Sequence, residues 1–125
     1  MQNDQQATLQ VIITSGPEDP DKALFGLQLA LVSISSGTPT RVFLTLRASQ
    51  WACARSLSGA GASEVYLALE GLVAAGAEVG ACSACLHKHC SVDSEDSSTL
   101  RAGIRPAGLM SVVHKTMSGA KTLTF

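Results

Sequence analysis

The segment VGACSACLHKHC, Val79 to Cys90, concentrates the side chains able to do chemistry. Cys82 and Cys85 form a C-x2-C pair, and His87, Lys88, His89 and Cys90 follow at once. A thiolate is both a nucleophile and a metal ligand, so the cluster admits three readings. In the first, Cys82 and Cys85 are reactive thiols, with His87, Lys88, His89 and Cys90 as accessory groups. A C-x2-C pair can also cycle through a disulfide, as in thioredoxin-like proteins, but Trp51 stands thirty-one residues before Cys82 instead of directly ahead of it. In the second, the cluster holds a metal. Cys82, Cys85, His87 (or His89) and Cys90 supply enough ligands for zinc, and an iron–sulfur cluster would recruit Cys53 as a further thiolate. The compressed spacing and the lack of a second C-x2-C or H-x3-H knuckle count against it. In the third, the cysteines are small buried hydrophobes.

Chemistry needs elements that position it. TLQVIIT (Thr8–Thr14) is a continuous β-branched run, the pattern of a strand buried on both faces. The loop SGPEDPD follows, with Asp19 as N-cap and Pro20 at the first position of a helix reaching Ser36 and stopping at Gly37. TRVFLTL (Thr40–Leu46) is the second strand, parallel to the first through a right-handed crossover. The stretch from Arg47 to Ser63 is rich in small residues, with helical character expected around Trp51–Leu57. Ser63 is the expected cap of a helix over Glu64–Ala75, stopped by Gly76. AEVGAC (Ala77–Cys82) is the third strand and hands Cys82 to whatever helix follows, with Cys85 in its first turn. Unpaired N–H groups there favour a thiolate, and Gly80 and Ala81 are expected to leave room for a substrate. Asp93 and Asp96 frame either a short helix reaching Leu100–Ala102 or a flap, and the acidic run is otherwise a solvated face. A helix from Pro106 to Gly119 presents Leu109, Val112, Val113 and Met117 on one side, and AKTLTF closes the chain as a strand. Alternating strands and helices make an open α/β sheet, with sites at the carboxyl ends of its strands.

The remaining composition mostly excludes. The 125 residues suit one domain, residues 1–125, able to bury roughly two-thirds of the unfolded surface. A net charge of −1, with 15% charged and 4% aromatic residues, argues against a nucleic-acid partner. The apolar run Ala23–Ile34 is too short to span a bilayer, and the polar start lacks a basic leader. A cytoplasmic, reducing location is therefore expected, where clustered cysteines serve chemistry or metal more often than structural disulfides. SGP after the first strand lacks the glycine spacing or lysine of a nucleotide loop.

The first helix carries two apolar stripes, Leu24, Leu27, Leu31 and Ile34 beside Phe25, Leu29 and Val32, leaving Lys22, Gly26 and Ser33 as its polar strip. One sheet face does not bury so wide an arc, so a second copy of the chain is expected to cover part of it. Trp51 reads as a packing anchor, Cys53 as a buried small side chain and His114 as solvent-facing.

Nearly the whole chain resembles the DsrE/DsrF-like family, which includes TusD-type sulfur-relay subunits. The residues that carry the resemblance are SGPEDPDKALFGLQLA, GTPTRVFLTL, the Leu-x-x-x-Gly-x-x-Val-x-x-Cys pattern in GLVAAGAEVGACSAC, and the ending GLMSVVHKTMSGAKTLTF. The resemblance implies an α/β fold with an open, mostly parallel five-stranded sheet and helices on both faces. It implies assembly into a trimer or hexamer, and sulfane sulfur carried as a persulfide on Cys82, with Cys85 as the second cysteine. Donor and acceptor would be proteins or small persulfides, and no cofactor is needed. The chain departs from the family after Cys85: many members have Arg-Gly where His89-Cys90 stands. That departure keeps a zinc- or iron-binding, or purely regulatory, oligomer subunit as the alternative.

Overall fold

The computed structural model describes residues 7–90 and 99–125. Five strands, β1 (Leu9–Ile13), β2 (Thr40–Leu44), β3 (Glu78–Cys82), β4 (Ile104–Ala107) and β5 (Lys121–Thr124), form one all-parallel sheet in the order β4-β3-β2-β1-β5. Among the described residues four α-helices connect them: α1 (Pro20–Ser35), α2 (Ala62–Ala74), α3 (Ser83–His89) and α4 (Leu109–Met117). A 3-10 helix, Leu46–Ala52, follows β2.

Register sorts the side chains by face. Val11, Val42, Val79 and Ile104 lie opposite one another across four strands, as do Ile13, Leu44 and Ala81. These rows are buried against Ala23, Leu27 and Ala30 of α1 and Leu69 and Leu72 of α2. Each fully buried Leu or Val contributes about 1.5–3 kcal/mol, so this layer is the main source of cohesion. The opposite face carries a polar row. Gln10 Nε2 donates to Thr116 Oγ1 of α4 at 3.2 Å, and the Arg41 guanidinium donates to Gln10 Oε1, Ser111 Oγ and Glu78 Oε2. Arg41 is buried, and these partners compensate a charge removed from water.

Local signals account for most element ends. Asp19 Oδ1 accepts the Lys22 N–H at 3.2 Å, with Pro20 opening α1 as expected. Gly76 follows α2 with φ 90°, a conformation that favours glycine. Several expectations are corrected. Pro106 lies inside β4, opposite Ala81, and starts no helix. β4 is an edge strand, where a residue lacking an N–H is tolerated. Gly61, with φ 85°, is the N-cap of α2, while the Ser63 hydroxyl turns to Glu64 Oε1. The helical stretch around Trp51 is the 3-10 helix, which ends at Ala52 and does not reach Leu57.

Gly26 belongs to no polar strip. It is buried against the sheet, and a methyl group there would overlap Ile13 Cδ1 and the Phe125 ring. Leu100 forms an antiparallel bridge with Cys53, so the short helix expected to reach Leu100–Ala102 is absent there. Its proposed start at Asp93 and Asp96, like the flap reading, lies outside the described residues.

Candidate functional site

β2 and β3 are neighbours, with Leu44 opposite Ala81, so Thr45 and Leu46 emerge beside Cys82 at the carboxyl edge of the sheet. Cys82 ends β3 and is also the N-cap of α3, as the sequence suggests. It is 4% exposed and does not join the apolar core cluster. Beside Ala81 and Ala107, it has polar groups at its sulfur. Burial pushes the Cys82 thiol up, but the Cys85 N–H, the Cys85 thiol, the Thr45 hydroxyl and the Ala84 N–H outweigh burial. Together they hold the thiol below its ordinary range.

Cys85, in the first turn of α3, is half-buried. Its Sγ accepts the Leu46 N–H at 3.3 Å and lies 3.6 Å from the Thr45 hydroxyl. Leu46 adopts φ 54°, the left-handed region, and is the only non-glycine residue to do so among the described residues. Such a conformation costs about 1–3 kcal/mol and persists only where the surroundings enforce it. Here the 3-10 helix enforces it. The Ser49 hydroxyl donates to the Leu46 carbonyl at 2.6 Å, and Trp51, fully buried, donates its Nε1–H to the Ser15 carbonyl at 3.0 Å. Trp51 is thus the expected anchor, and it also packs its ring against the edge of Tyr66.

Thr45 and Leu46 escaped the sequence reading. Had β2 been placed beside β3, the residues just past its end would have been obvious neighbours of Cys82. Contrary to expectation, Gly80 and Ala81 leave no room for a substrate: a side chain at Gly80 would press on Ala107 Cβ, and Ala81 is fully buried. Their smallness serves strand packing.

Cys53 and Cys90 form a disulfide, with Cα atoms 5.7 Å apart, whereas Cys82 and Cys85 are free. This corrects two expectations. Cys53 is not merely a small buried side chain, and Cys90 is not a third thiol beside Cys82. The four residues Cys82, Cys85, His87 and Cys90 do not gather as ligands, and no group of three or more His, Cys, Asp or Glu able to hold a metal occurs among the described residues. His87 and Lys88 are exposed on the last turn of α3, at the end away from Cys82 and Cys85, where cations suit the helix's negative pole. His114 is exposed, as expected. Cavities of about 370 Å³ beside Glu70, Leu100 and Arg101, and about 410 Å³ between Arg41, Glu78 and His114, do not reach the thiols.

The family model described as DsrE/DsrF-like matches residues 8–125. The chain belongs to the DsrE/DsrF-like family. Among solved structures, the YchN protein from E. coli superposes with a TM-score of 0.78 at 22% identity, covering 97% of this chain and all (100%) of that one. A conserved protein of unknown function from Bacteroides thetaiotaomicron, BT1422, superposes with a TM-score of 0.67 at 16% identity, covering 94% of each chain. At those identities both establish the fold this DsrE/DsrF-like chain shares. No curated protein matches it.

Proposed function

We propose that this protein carries sulfane sulfur as a cysteine persulfide, passing it from a donor to an acceptor thiol. One observation carries the reading. Two free thiols sit at the carboxyl edge of a parallel sheet, and the buried one is held toward its ionised form by four nearby hydrogen-bonding groups. Membership of a family that includes sulfur-relay subunits supports it.

Burial divides the labour within the pair. The sequence alone favours Cys82 as the attacking sulfur, but Cys82 is nearly enclosed and Cys85 is the more accessible. In our reading the Cys82 thiolate, favoured by those groups, accepts the Cys85 proton. The Cys85 thiolate then attacks the outer sulfur of a donor persulfide. The donor's inner sulfur leaves as a thiolate, and Cys85 bears the new S–S bond. An acceptor thiolate takes that outer sulfur and regenerates the Cys85 thiolate. Where no acceptor arrives, Cys82 regains its thiolate and attacks Cys85, forming a Cys82–Cys85 disulfide and releasing hydrosulfide. The half-buried Cys85 suits a donor thiol presented by a partner protein or a small persulfide.

Self-association belongs to the same proposal. Leu109, Met110, Val113 and Met117 on α4 form an exposed apolar face, and Met117 is 81% exposed. Phe25 and Val32 on α1 are also exposed, at 56% and 64%. Two separate apolar faces are what a ring and the stacking of two rings require, as in a trimer or hexamer of identical chains. No helix among the described residues is long and apolar enough to cross a membrane.

The test is intact-protein and peptide mass spectrometry after incubation with a small persulfide donor. One added sulfur on the Cys85 peptide is expected, lost in Cys85→Ser; in Cys82→Ser, which lacks both the base and the resolving thiol, it should load more slowly and then persist. No added sulfur on either cysteine would reject the carrier role. Light scattering of the eluting protein reads the oligomer, and a monomer would reject the assembly.

A further inference from the structure

We propose that the Cys53–Cys90 disulfide is a reversible redox brace that tunes the Cys82–Cys85 pair. The proposal rests on that pair being the working site, and it adds a regulation that the carrier role does not require.

The disulfide joins the two elements that meet at the site. Cys53 directly follows the 3-10 helix, whose first residue, Leu46, points its N–H at Cys85 Sγ from a left-handed backbone. Cys90 is the C-cap of α3, whose N-cap and first turn carry Cys82 and Cys85. The bond therefore clamps the far ends of two short elements whose near ends hold the reactive sulfurs. Between those ends the hold on Cys85 is slight, one N–H at 3.3 Å and one hydroxyl at 3.6 Å, and it opposes the strain at Leu46. A seven-residue helix has little stability of its own and depends on what fastens it.

Both cysteines of the brace are half-buried, so a small dithiol has partial access to the bond. Reduction is balanced by such a reductant. One of its thiolates attacks a sulfur of the Cys53–Cys90 bond and displaces the other as a thiolate. The reductant's second thiol resolves the mixed disulfide, leaving Cys53 and Cys90 as thiols and the reductant as a disulfide. Two electrons and two protons pass to the protein. With the brace open, the far end of α3 is released from the 3-10 helix, whose Leu46 stays held through Ser49 and Trp51, and Cys85 shifts away from the Leu46 N–H and loses that donor. The chain would then work fully under oxidising conditions and be attenuated under reducing ones.

The experiment compares three folded proteins, their secondary structure checked by circular dichroism. They are wild type with the Cys53–Cys90 bond intact and Cys82 and Cys85 as thiols, wild type after graded dithiothreitol, and the C53S/C90S double variant. The readout is the iodoacetamide alkylation rate at neutral pH, resolved by peptide mass at Cys85. We expect it to fall about tenfold, as expected for the loss of one hydrogen bond to a charged sulfur, in both brace-open proteins. A disulfide serving only global stability leaves this native-state rate unchanged, so an unchanged or faster rate overturns the proposal. So does a Cys53–Cys90 bond that dithiothreitol does not reduce in the folded protein. If the double variant does not fold, the dithiothreitol series decides alone. Persulfide loading is measured in parallel: absent from all three proteins while the alkylation rate falls, it removes the carrier role and leaves the brace standing.

Discussion

Thr45→Val gives the sharpest test of how the thiol pair is held. The substitution keeps the side chain's shape and removes its hydroxyl, which lies 3.6 Å from Cys85 Sγ and is one of four groups holding the Cys82 thiol below its ordinary range. A hydrogen bond to a charged group contributes about 1.5–3 kcal/mol. Sulfur is a weak acceptor, and three other donors remain, so the low end applies. About 1.4 kcal/mol corresponds to one pKa unit. The midpoint of Cys82 thiolate formation, followed by ultraviolet absorbance of the thiolate, should therefore move up toward the ordinary thiol range. At a pH below both midpoints, the thiolate fraction and the alkylation rate should fall about tenfold. Thr45→Ser keeps the hydroxyl and should titrate like wild type. A Thr45→Val midpoint that stays in place or moves down would show that the side chain does not hold the pair, and the electrostatic account of the site would fail with it.

Three further outcomes follow from the same geometry. Gly26→Ala forces a methyl group toward Ile13 and Phe125 and should destabilise the fold by about 1–3 kcal/mol in urea unfolding; a neutral result would mean that α1 sits farther from the sheet. Removing the disulfide with C53S/C90S frees a cross-link spanning 37 positions, which lies between the loops for which chain entropy gives about 3 and 4.7 kcal/mol, so a urea-unfolding loss below about 1 kcal/mol would contradict that account. Because the folded Cys82 thiol is the more acidic, its ionisation adds stability above the unfolded thiol's pKa of about 8.5, and this contribution disappears as pH falls through the lower folded value. The stability gap between wild type and Cys82→Ser should narrow across that window, and a gap independent of pH would refute the assignment.

Much of the framework was legible locally. A β-branched run, an Asp-Pro start and a terminal glycine are short-range signals, and β1, α1, β2, α2, β3 and α4 all appear close to their expected places. β4 was hidden because Ile104–Ala107 is four residues long and contains Pro106, a residue read as a helix start wherever its neighbours across the sheet are unknown. The disulfide was hidden for a related reason. Cysteine pairing depends on distance in space, and Cys53 and Cys90 are brought together only when the segment after β2 packs against the helix after β3. Average cysteine usage in reducing compartments carries no information about that proximity.

By itself, the sequence determined the chemical alphabet of this protein: two cysteines one helical turn apart, at the end of an apolar strand, in a chain of α/β pattern that the DsrE/DsrF-like family shares. Only the tertiary structure decided which sulfur is enclosed, which is the more accessible, and that two adjacent residues just past the end of another strand, Thr45 and Leu46, attend them. The physical reason is that a pattern along the chain reports each residue's own preference. Burial and hydrogen bonding depend on neighbours distant in sequence, and the parallel register of β2 with β3 selects those neighbours.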